Sequence, residues 1–287
     1  MPHLAHRSPG TVAHSTIYAA SVIWRRKAGN FTVAAPSIEM LPDGANSTRR
    51  FKVKVVDSAE RRSMVDALLK ARYSWRGYNT VRLPTDQSVH KFTLAAIEDA
   101  ATIGSITVSL DGPEKLGADD AFGAEVDELR AQGRKICEFA RLAVDPVVGT
   151  KRVLASLFHV AYIVAYRIRG NDLLLIEVNP RHVQYYVRML GFDVLGAERI
   201  NRSVNAPAVL LGVDFDYVRK QIGEFGGHPW RMATERSLYP AAFSPSDEAA
   251  IMEKMMAKQR LLDEQRSRTG KANVAPPSDF LPSDLMR

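Results

Sequence analysis

The sequence contains one cysteine, Cys137, in 287 residues. A single cysteine cannot close an intrachain disulfide, which excludes a secreted scaffold held by disulfides, and we expect a cytoplasmic protein. The chain has no His-x-x-x-His, no cysteine pair and no other cluster at metal-ligand spacing, so no metal site is predicted. It also lacks a glycine-rich phosphate loop and a dinucleotide fingerprint, which excludes the common nucleotide-binding classes.

Long apolar runs are absent as well. The most apolar stretch, residues 153–166, contains His159 and is shorter than the about 20 residues that a membrane-spanning helix needs. Near the start, a mildly apolar stretch is followed by Arg25, Arg26 and Lys27, which is not the pattern of a signal peptide. The sequence therefore predicts neither a transmembrane segment nor export.

The composition is that of an ordinary globular protein, with 46% hydrophobic and 25% charged residues. The net charge is +7 and the isoelectric point is about 9.5. A basic chain favours an acidic partner, which can be a carrier protein, a membrane surface or a nucleic acid. The charge by itself leaves all three open.

Turn signals and periodicity divide the chain into four parts. Residues 1–50 are rich in Pro, Ser, Thr and Gly and are predicted to form a mobile arm, while residues 51–217 form the main domain. Residues 218–268 form a C-terminal helical extension, and residues 269–287 a disordered, Pro-rich tail. We expect a helix of the extension to dock on the sheet or on a second copy of the chain, which would give a homodimer; the alternative is a platform for a carrier protein.

The centre of the main domain has the order strand, helix, strand. Residues 136–144 and 172–178 have the pattern of buried strands, and residues 150–167 that of a helix between them. This order predicts a parallel pair joined by a crossover helix, within an α/β fold whose mixed, twisted sheet is flanked by helices. The loop 145–150 leads into the helix, where free amides and the helix dipole favour an anionic cofactor arm.

Glu138 and Arg141 interrupt the first of these strands. In a regular strand, residues three apart point to opposite faces, so only a bulge would bring the two charges to one face. The alternative is that each charge marks the margin of an edge strand. The spacing leaves both interpretations open.

Five segments in this order carry a resemblance to a known family. They are residues 103–111, residues 125–134, residues 138–144, Asn179-Pro180-Arg181-His182 with Tyr185 and Tyr186 ahead of Gly191-Phe192, and residues 205–208. The chain resembles the long-chain N-acyl amino acid synthases, a branch of the GNAT superfamily related to the acyl-homoserine lactone (autoinducer) synthases.

This resemblance implies a GNAT-like fold, acyl carrier protein as the acyl thioester donor, and the amine of an amino acid as acceptor. Thr107 stands where autoinducer synthases usually carry an arginine, which favours an open-chain N-acyl amino acid over a lactone. The loop 145–150 has one glycine, so a coenzyme A donor is possible but not favoured. No permanently bound cofactor and no nucleic acid partner are expected. A CoA-dependent N-acyltransferase acting on a small amine or a protein, and a basic binding module without turnover, are the alternatives.

Amide formation from a thioester requires a polarised carbonyl and a deprotonated amine. Strands that part near Arg141 would offer the carbonyl a backbone N–H from residues 141–144. Glu138 is the predicted general base, and Arg141 grips the substrate carboxylate or orients Glu138. Tyr186 is the predicted proton donor to the leaving thiolate. An internal Glu138–Arg141 ion pair and a core position for Tyr186 are the structural alternatives.

Two further sets complete the predicted site. The acyl and pantetheine arm is assigned to residues on the strand, the loop and the helix start, namely Leu142, Ala143, Val144, Gly149, Thr150, Lys151, Arg152 and Asn179. The amino acid is assigned to Arg72, Trp75 and Thr107. His159 is expected to be a core or interhelical residue.

Overall fold

The computed structural model describes residues 32–34, 51–74, 83, 90–147 and 151–257. Their centre is one mixed sheet with the strand order β1-β2-β3-β4-β5-β6-β8-β7. The strands are β1 Thr32–Ala34, β2 Lys52–Val55, β3 Lys91–Glu98, β4 Ala101–Leu110, β5 Ile136–Val144, β6 Leu173–Val178, β7 Asp193–Asn201 and β8 Ala206–Asp214. All neighbouring pairs are antiparallel except β5 and β6, which are parallel as predicted.

Helices cover both faces of the sheet. The helices with their bounds are α1 Ala59–Tyr73, α2 Asp119–Ala131, α3 Lys151–Tyr162, α4 Val183–Leu190, α5 Phe215–Phe225 and α6 at 245–257. On one face, α1 packs Leu69 against Ala143 of β5, and α2 packs Phe122 against Leu210 of β8. On the other face, the apolar sides of α3 and α5 share a core with Phe139 of β5. The α/β class and the GNAT-like layering are confirmed.

Local signals explain where several helices begin and end. Ser58 caps α1 by accepting a hydrogen bond from the backbone N–H of Arg61. Gly191 ends α4 with φ of +76°, a left-handed conformation that glycine adopts without strain. The predicted helix over 150–167 is α3 followed by a π-helical turn, Ile163–Ile168.

The end of the described chain belongs to the main core. The boundary predicted between residues 217 and 218 falls inside α5, and Leu238, Tyr239, Phe243 and Ile251 are buried in the same cluster as β4 and β5. Apart from β1, the predicted arm 1–50 lies outside the described residues, as does the predicted tail 269–287. None of the described helices is long and apolar enough to span a membrane.

Candidate active site

The sheet splits between its two parallel strands. β5 and β6 pair only at Ile136 with Leu173, Cys137 with Leu174 and Glu138 with Leu175, although both strands continue beyond these pairs. Their outer edges remain paired, β5 with β4 and β6 with β8. The two strands therefore diverge beyond Glu138 and leave facing edges that none of the described strands fills, as predicted for the region of Arg141.

A bulge at Arg141 lies on the β5 side of this split. The β4 pairing moves from Ala140 opposite Thr107 to Ala143 opposite Ser105, so β5 has one extra residue, and Arg141 has φ of +49°. The carbonyl of Leu142 accepts a hydrogen bond of 2.8 Å from the Tyr73 hydroxyl. The end of α1 thereby holds the bulge from above, a role for Tyr73 that the sequence did not reveal.

On the α1/α2 face of the sheet, the split is bordered by buried polar side chains. Thr93 and Thr107 lie opposite each other on β3 and β4, and their hydroxyl oxygens are 2.9 Å apart. The hydroxyl of Ser105 is buried and has no hydrogen-bond partner among the described residues. A buried hydroxyl without a hydrogen-bond partner lowers the stability of the fold, so Ser105, beside the two threonines, suits a polar ligand.

Glu138 lies on the same face and is buried, with 4% of its surface exposed. Its Oε2 accepts hydrogen bonds from the backbone N–H groups of Gly117, at 2.6 Å, and Ala118, at 3.4 Å, just before α2. Burial raises the pKa of the Glu138 carboxyl, while these two bonds and the charge of Arg141 act in the opposite direction. The carboxylate thus fastens the start of α2 to β5.

A second carboxylate, Glu177, lies on β6 two residues past the last parallel pair. Its Oε2 accepts a hydrogen bond of 2.8 Å from the side-chain amide of Asn201 on β7. Burial, and next the negative charge of Glu138, raise the pKa of Glu177 to about 7. Glu177 is therefore poised to change protonation near neutral pH. Glu177 is not among the site residues predicted from the sequence, although it is the one charged residue in the apolar run LLLIEV.

The opposite face of the split is apolar. A cavity of about 40 Å³ lies against Phe139, the first β5 residue past the pairing, and against Leu174 of β6. Aromatic and aliphatic side chains from α3, α4, α5 and the C-terminal segment supply most of the remaining wall, including Phe158, Leu190, Phe192, Phe215, Leu238 and Tyr239. The hydroxyl of Tyr162, another lining residue, is buried without a hydrogen-bond partner among the described residues.

His159 lines the same cavity and has a structural role. Its Nδ1 accepts a hydrogen bond of 3.0 Å from the backbone N–H of Phe243, so that nitrogen carries no proton. Its Nε2 lies 3.1 Å from Oε2 of Glu248, which also pairs with Arg167. These bonds join α3 to the C-terminal segment, consistent with the interhelical position expected from the sequence.

The described residues that were predicted to bind the acyl donor lie on β5, after β6 and at the start of α3. Leu142, Ala143 and Val144 lie on β5 beyond the pairing. Asn179 follows β6, where its side chain accepts a hydrogen bond from the N–H of Arg181 and so caps the next helical turn. Lys151, at the start of α3, is exposed.

Arg152, the next residue of α3, is buried. It is 4% exposed, its guanidinium lies 5.5 Å from the centre of the Phe51 ring, and burial lowers its pKa to about 10. A contact between Arg152 and the pantetheine arm stays a prediction. Gly149 and Thr150 lie outside the described residues.

The remaining predicted residues occupy three elements. Tyr186 on α4 is half-buried, with its ring edge-on to Phe192 at a centroid distance of 5.9 Å. Arg72 is in the last turn of α1, and Thr107 is in the buried polar row. Trp75 lies outside the described residues. Within the described ranges, no group of three His, Cys, Asp or Glu side chains is arranged to hold a metal ion.

Comparisons with known proteins identify the family of this chain. The family of the N-acyl amino acid synthase FeeM matches residues 64–214, just over half of the chain. The solved structure of FeeM, from uncultured soil microbes, has 24% identity and a TM-score of 0.54, and the match covers 60% of this chain and 94% of FeeM. This likeness supports the fold. A search of the curated proteins finds no match.

Two other solved structures are less similar to this chain. An acyl-CoA N-acyltransferase from Pseudomonas aeruginosa has 13% identity and a TM-score of 0.41, over 56% of this chain and 97% of its own. The acyl-homoserine lactone synthase LasI has 13% identity and a TM-score of 0.39, over 57% and 89%. By its family match, with a split GNAT-like sheet, the chain belongs to the FeeM family of N-acyl amino acid synthases and is an acyltransferase.

Proposed function

We propose that this acyltransferase moves a long-chain fatty acyl group from acyl carrier protein to the amino group of an amino acid, giving an open-chain N-acyl amino acid. The observation that carries the proposal is the split between β5 and β6, which has an apolar cavity on one face and two carboxylates on the other. A fatty acyl chain requires an apolar environment, and the charged groups of an amino acid require a polar one.

The donor lies along the unpaired edge of β5. A backbone N–H in residues 141–144 polarises the thioester carbonyl, and the acyl chain passes Phe139 into the cavity, which must expand to hold more than the first few carbons. The net charge of +7 and the exposed Lys151 suit an acidic carrier protein, whose use implies the cytoplasm as the compartment. Tyr186 protonates the leaving thiolate.

The acceptor lies on the polar face. Its ammonium group faces the carboxylates at the split, and its carboxylate is bound by Arg141 or by Arg72. Thr107, in the buried polar row, lies near the bound amino acid. Holding the amine next to the thioester carbon converts a bimolecular reaction into an effectively intramolecular one, which is a large part of the expected catalysis.

The test supplies the purified chain with acyl carrier proteins and acyl-CoA esters loaded from acetyl to palmitoyl, together with a pool of amino acids. We expect N-acyl amino acids with long chains from the carrier protein, detected by mass. Product from short acyl-CoA alone would favour a CoA-dependent enzyme, and no product with any donor would favour a binding module.

A pair of variants tests whether the cavity holds the chain. Ala155→Leu fills space in the lining, and Ala161→Leu overpacks the same helix, α3, at a residue that does not line the cavity. We expect Ala155→Leu to lose palmitoyl transfer and keep short-chain transfer, while Ala161→Leu changes both alike. Equal loss in the two variants would contradict this use of the cavity.

A further inference from the structure

We propose that Glu177, rather than Glu138, takes the proton from the ammonium group of the acceptor, and that Glu138 is a positioning residue that fixes α2 against β5. This inference rests on the proposed function and names the base within the same site. It reassigns the role that the sequence favoured for Glu138.

The two carboxylates differ in burial. Glu138 is 4% exposed, and its Oε2 accepts hydrogen bonds from two backbone N–H groups. Glu177 is only partly buried, and its Oε2 accepts a hydrogen bond from the side chain of Asn201. In each carboxylate the other oxygen, Oε1, accepts no hydrogen bond within the described residues. Because Glu177 is less buried, its Oε1 is the more accessible of the two to a substrate N–H.

The position of Glu177 fits a direct contact with the amine. Glu138 is opposite Leu175 in the last parallel pair, and Glu177 is two residues further along β6, so both carboxylates lie on the same face of the sheet. Glu177 is the one that lies past the pairing, where the strands diverge and where the proposed function puts the thioester. A base must be within hydrogen-bond reach of the proton that it removes.

The charged groups around Glu177 favour proton uptake near neutral pH. Negative charge comes from Glu138 on β5 and Asp120 on α2, while Asn201 on β7 supplies a neutral donor. Burial and these two charges raise the pKa of Glu177 to about 7, whereas the bond from Asn201 lowers it. A base with a pKa near the working pH is the most effective, because it is both available and strong enough.

In the proposed reaction the ammonium nitrogen loses two protons and gains one bond to carbon. Glu177 removes one proton from the ammonium nitrogen, whose lone pair then forms the C–N bond to the thioester carbon while the carbonyl π pair moves to oxygen. When this intermediate collapses, the C–S bond breaks and the sulfur leaves with its electron pair. Tyr186 protonates the sulfur and is itself reprotonated by a second proton from the same nitrogen, and Glu177 later releases its proton to water. The products are the amide, the thiol and one proton.

The decisive experiment measures kcat/KM against pH for the wild type and for Glu177→Gln, with the long-chain donor that the wild type uses. We expect Glu177→Gln to lose about 10² to 10⁴ in rate and to lose the acidic limb of the profile. Glu125→Gln is the matched control, because Glu125 is a carboxylate on α2 that pairs with Arg199 away from the split. It should keep both the rate and the limb.

Two more variants separate catalysis from structure. Glu138→Gln still offers an oxygen to the N–H groups of Gly117 and Ala118, so it should keep the acidic limb, moved to lower pH because the negative charge beside Glu177 is lost. Asn201→Ala removes the donor to Glu177, so the limb should move to higher pH, a shift that a merely structural role of Glu177 does not produce. This readout also serves if Glu177→Gln does not fold.

The outcomes are distinct. An acidic limb that survives in Glu177→Gln would overturn the assignment and leave the proposed function intact. If the limb also disappears in Glu138→Gln, the base is Glu138. A limb that does not move in Asn201→Ala would count against it as well. If the wild type forms no N-acyl product with any donor, the proposed function fails and the assignment with it.

Discussion

The two faces of the split sheet have opposite chemistry, although the same two strands build both. On the α1/α2 face, Glu138 and Glu177 lie beside buried hydroxyls, while Phe139 and Leu174 on the α3/α5 face border an apolar cavity. Successive strand residues point to opposite faces, so a one-residue step along β5 goes from a carboxylate to an aromatic ring. A split in a strand pair can therefore serve a polar and an apolar substrate at the same place.

The largest effect on stability is expected at His159, a polar residue in the wall of the apolar cavity. His159→Leu leaves the N–H of Phe243 without its acceptor and removes a partner of Glu248. We expect the free energy of unfolding to fall by about 3 to 5 kcal/mol, since both groups stay buried. Chemical denaturation measures this loss, and a fall of less than about 1 kcal/mol would contradict the structural role of His159.

Glu177, on the polar face, should make the free energy of unfolding decrease as pH rises. The pKa of Glu177 is raised from 4.5 to about 7 in the folded chain, so the folded state binds the proton more tightly than the unfolded state. The resulting stability is fully present below pH 4.5 and is lost as pH rises towards 7, by about 3 kcal/mol at most. Urea unfolding of the wild type and of Glu177→Gln across this range should differ by that slope, and parallel curves would show that Glu177 has an ordinary pKa.

A smaller effect is expected where the polar face meets α2. A Cβ at residue 117 would lie 2.9 Å from Oε1 of Glu138, whereas one at residue 123 meets nothing within 4 Å. We expect Gly117→Ala to lower the free energy of unfolding by about 1 to 2 kcal/mol, because Glu138 is displaced from its N–H donors. Gly123→Ala, within α2, should raise it by about 0.5 to 1 kcal/mol. Equal changes in the two variants would mean that Glu138 is not fixed at this contact.

The smallest effect concerns two tyrosines that line the apolar cavity. The hydroxyl of Tyr162 is buried without a partner in the described structure, while that of Tyr239 donates to the carbonyl of Leu190 at 2.6 Å. Tyr162→Phe should therefore be neutral or more stable by up to about 1 kcal/mol, and Tyr239→Phe less stable by about 1 kcal/mol. Thermal unfolding of the two variants side by side gives the sign of each change.

The sequence predicted the centre of the fold well and the site only in part. The strand over 136–144 and the crossover helix were predicted because apolar runs bounded by charges and turn residues are local signals. Glu177 was missed because a carboxylate in an apolar strand does not indicate where that strand stops pairing with its neighbour. Where the pairing stops depends on how β5 and β6, which are far apart in the chain, lie against each other.

The cavity was missed for a related reason. Leu238 and Tyr239, which close its wall, follow the predicted domain boundary and have no periodic pattern that links them to β5 or α3. Their burial depends on how the chain returns to the sheet after α5. Contacts of this range are set by the packing of the whole domain and cannot be read from a local stretch of sequence.

The divergence of β5 and β6 has a consequence for solvent. Backbone amides that face an unfilled gap have no cross-strand acceptor, so their hydrogens exchange with deuterium faster than those of the paired strand edges. A linear molecule that enters the gap and bonds to one edge acts for a time as an inserted strand. Slower exchange in residues 139–144, measured with a non-hydrolysable donor, would then report occupancy of the gap even in a variant that cannot turn over.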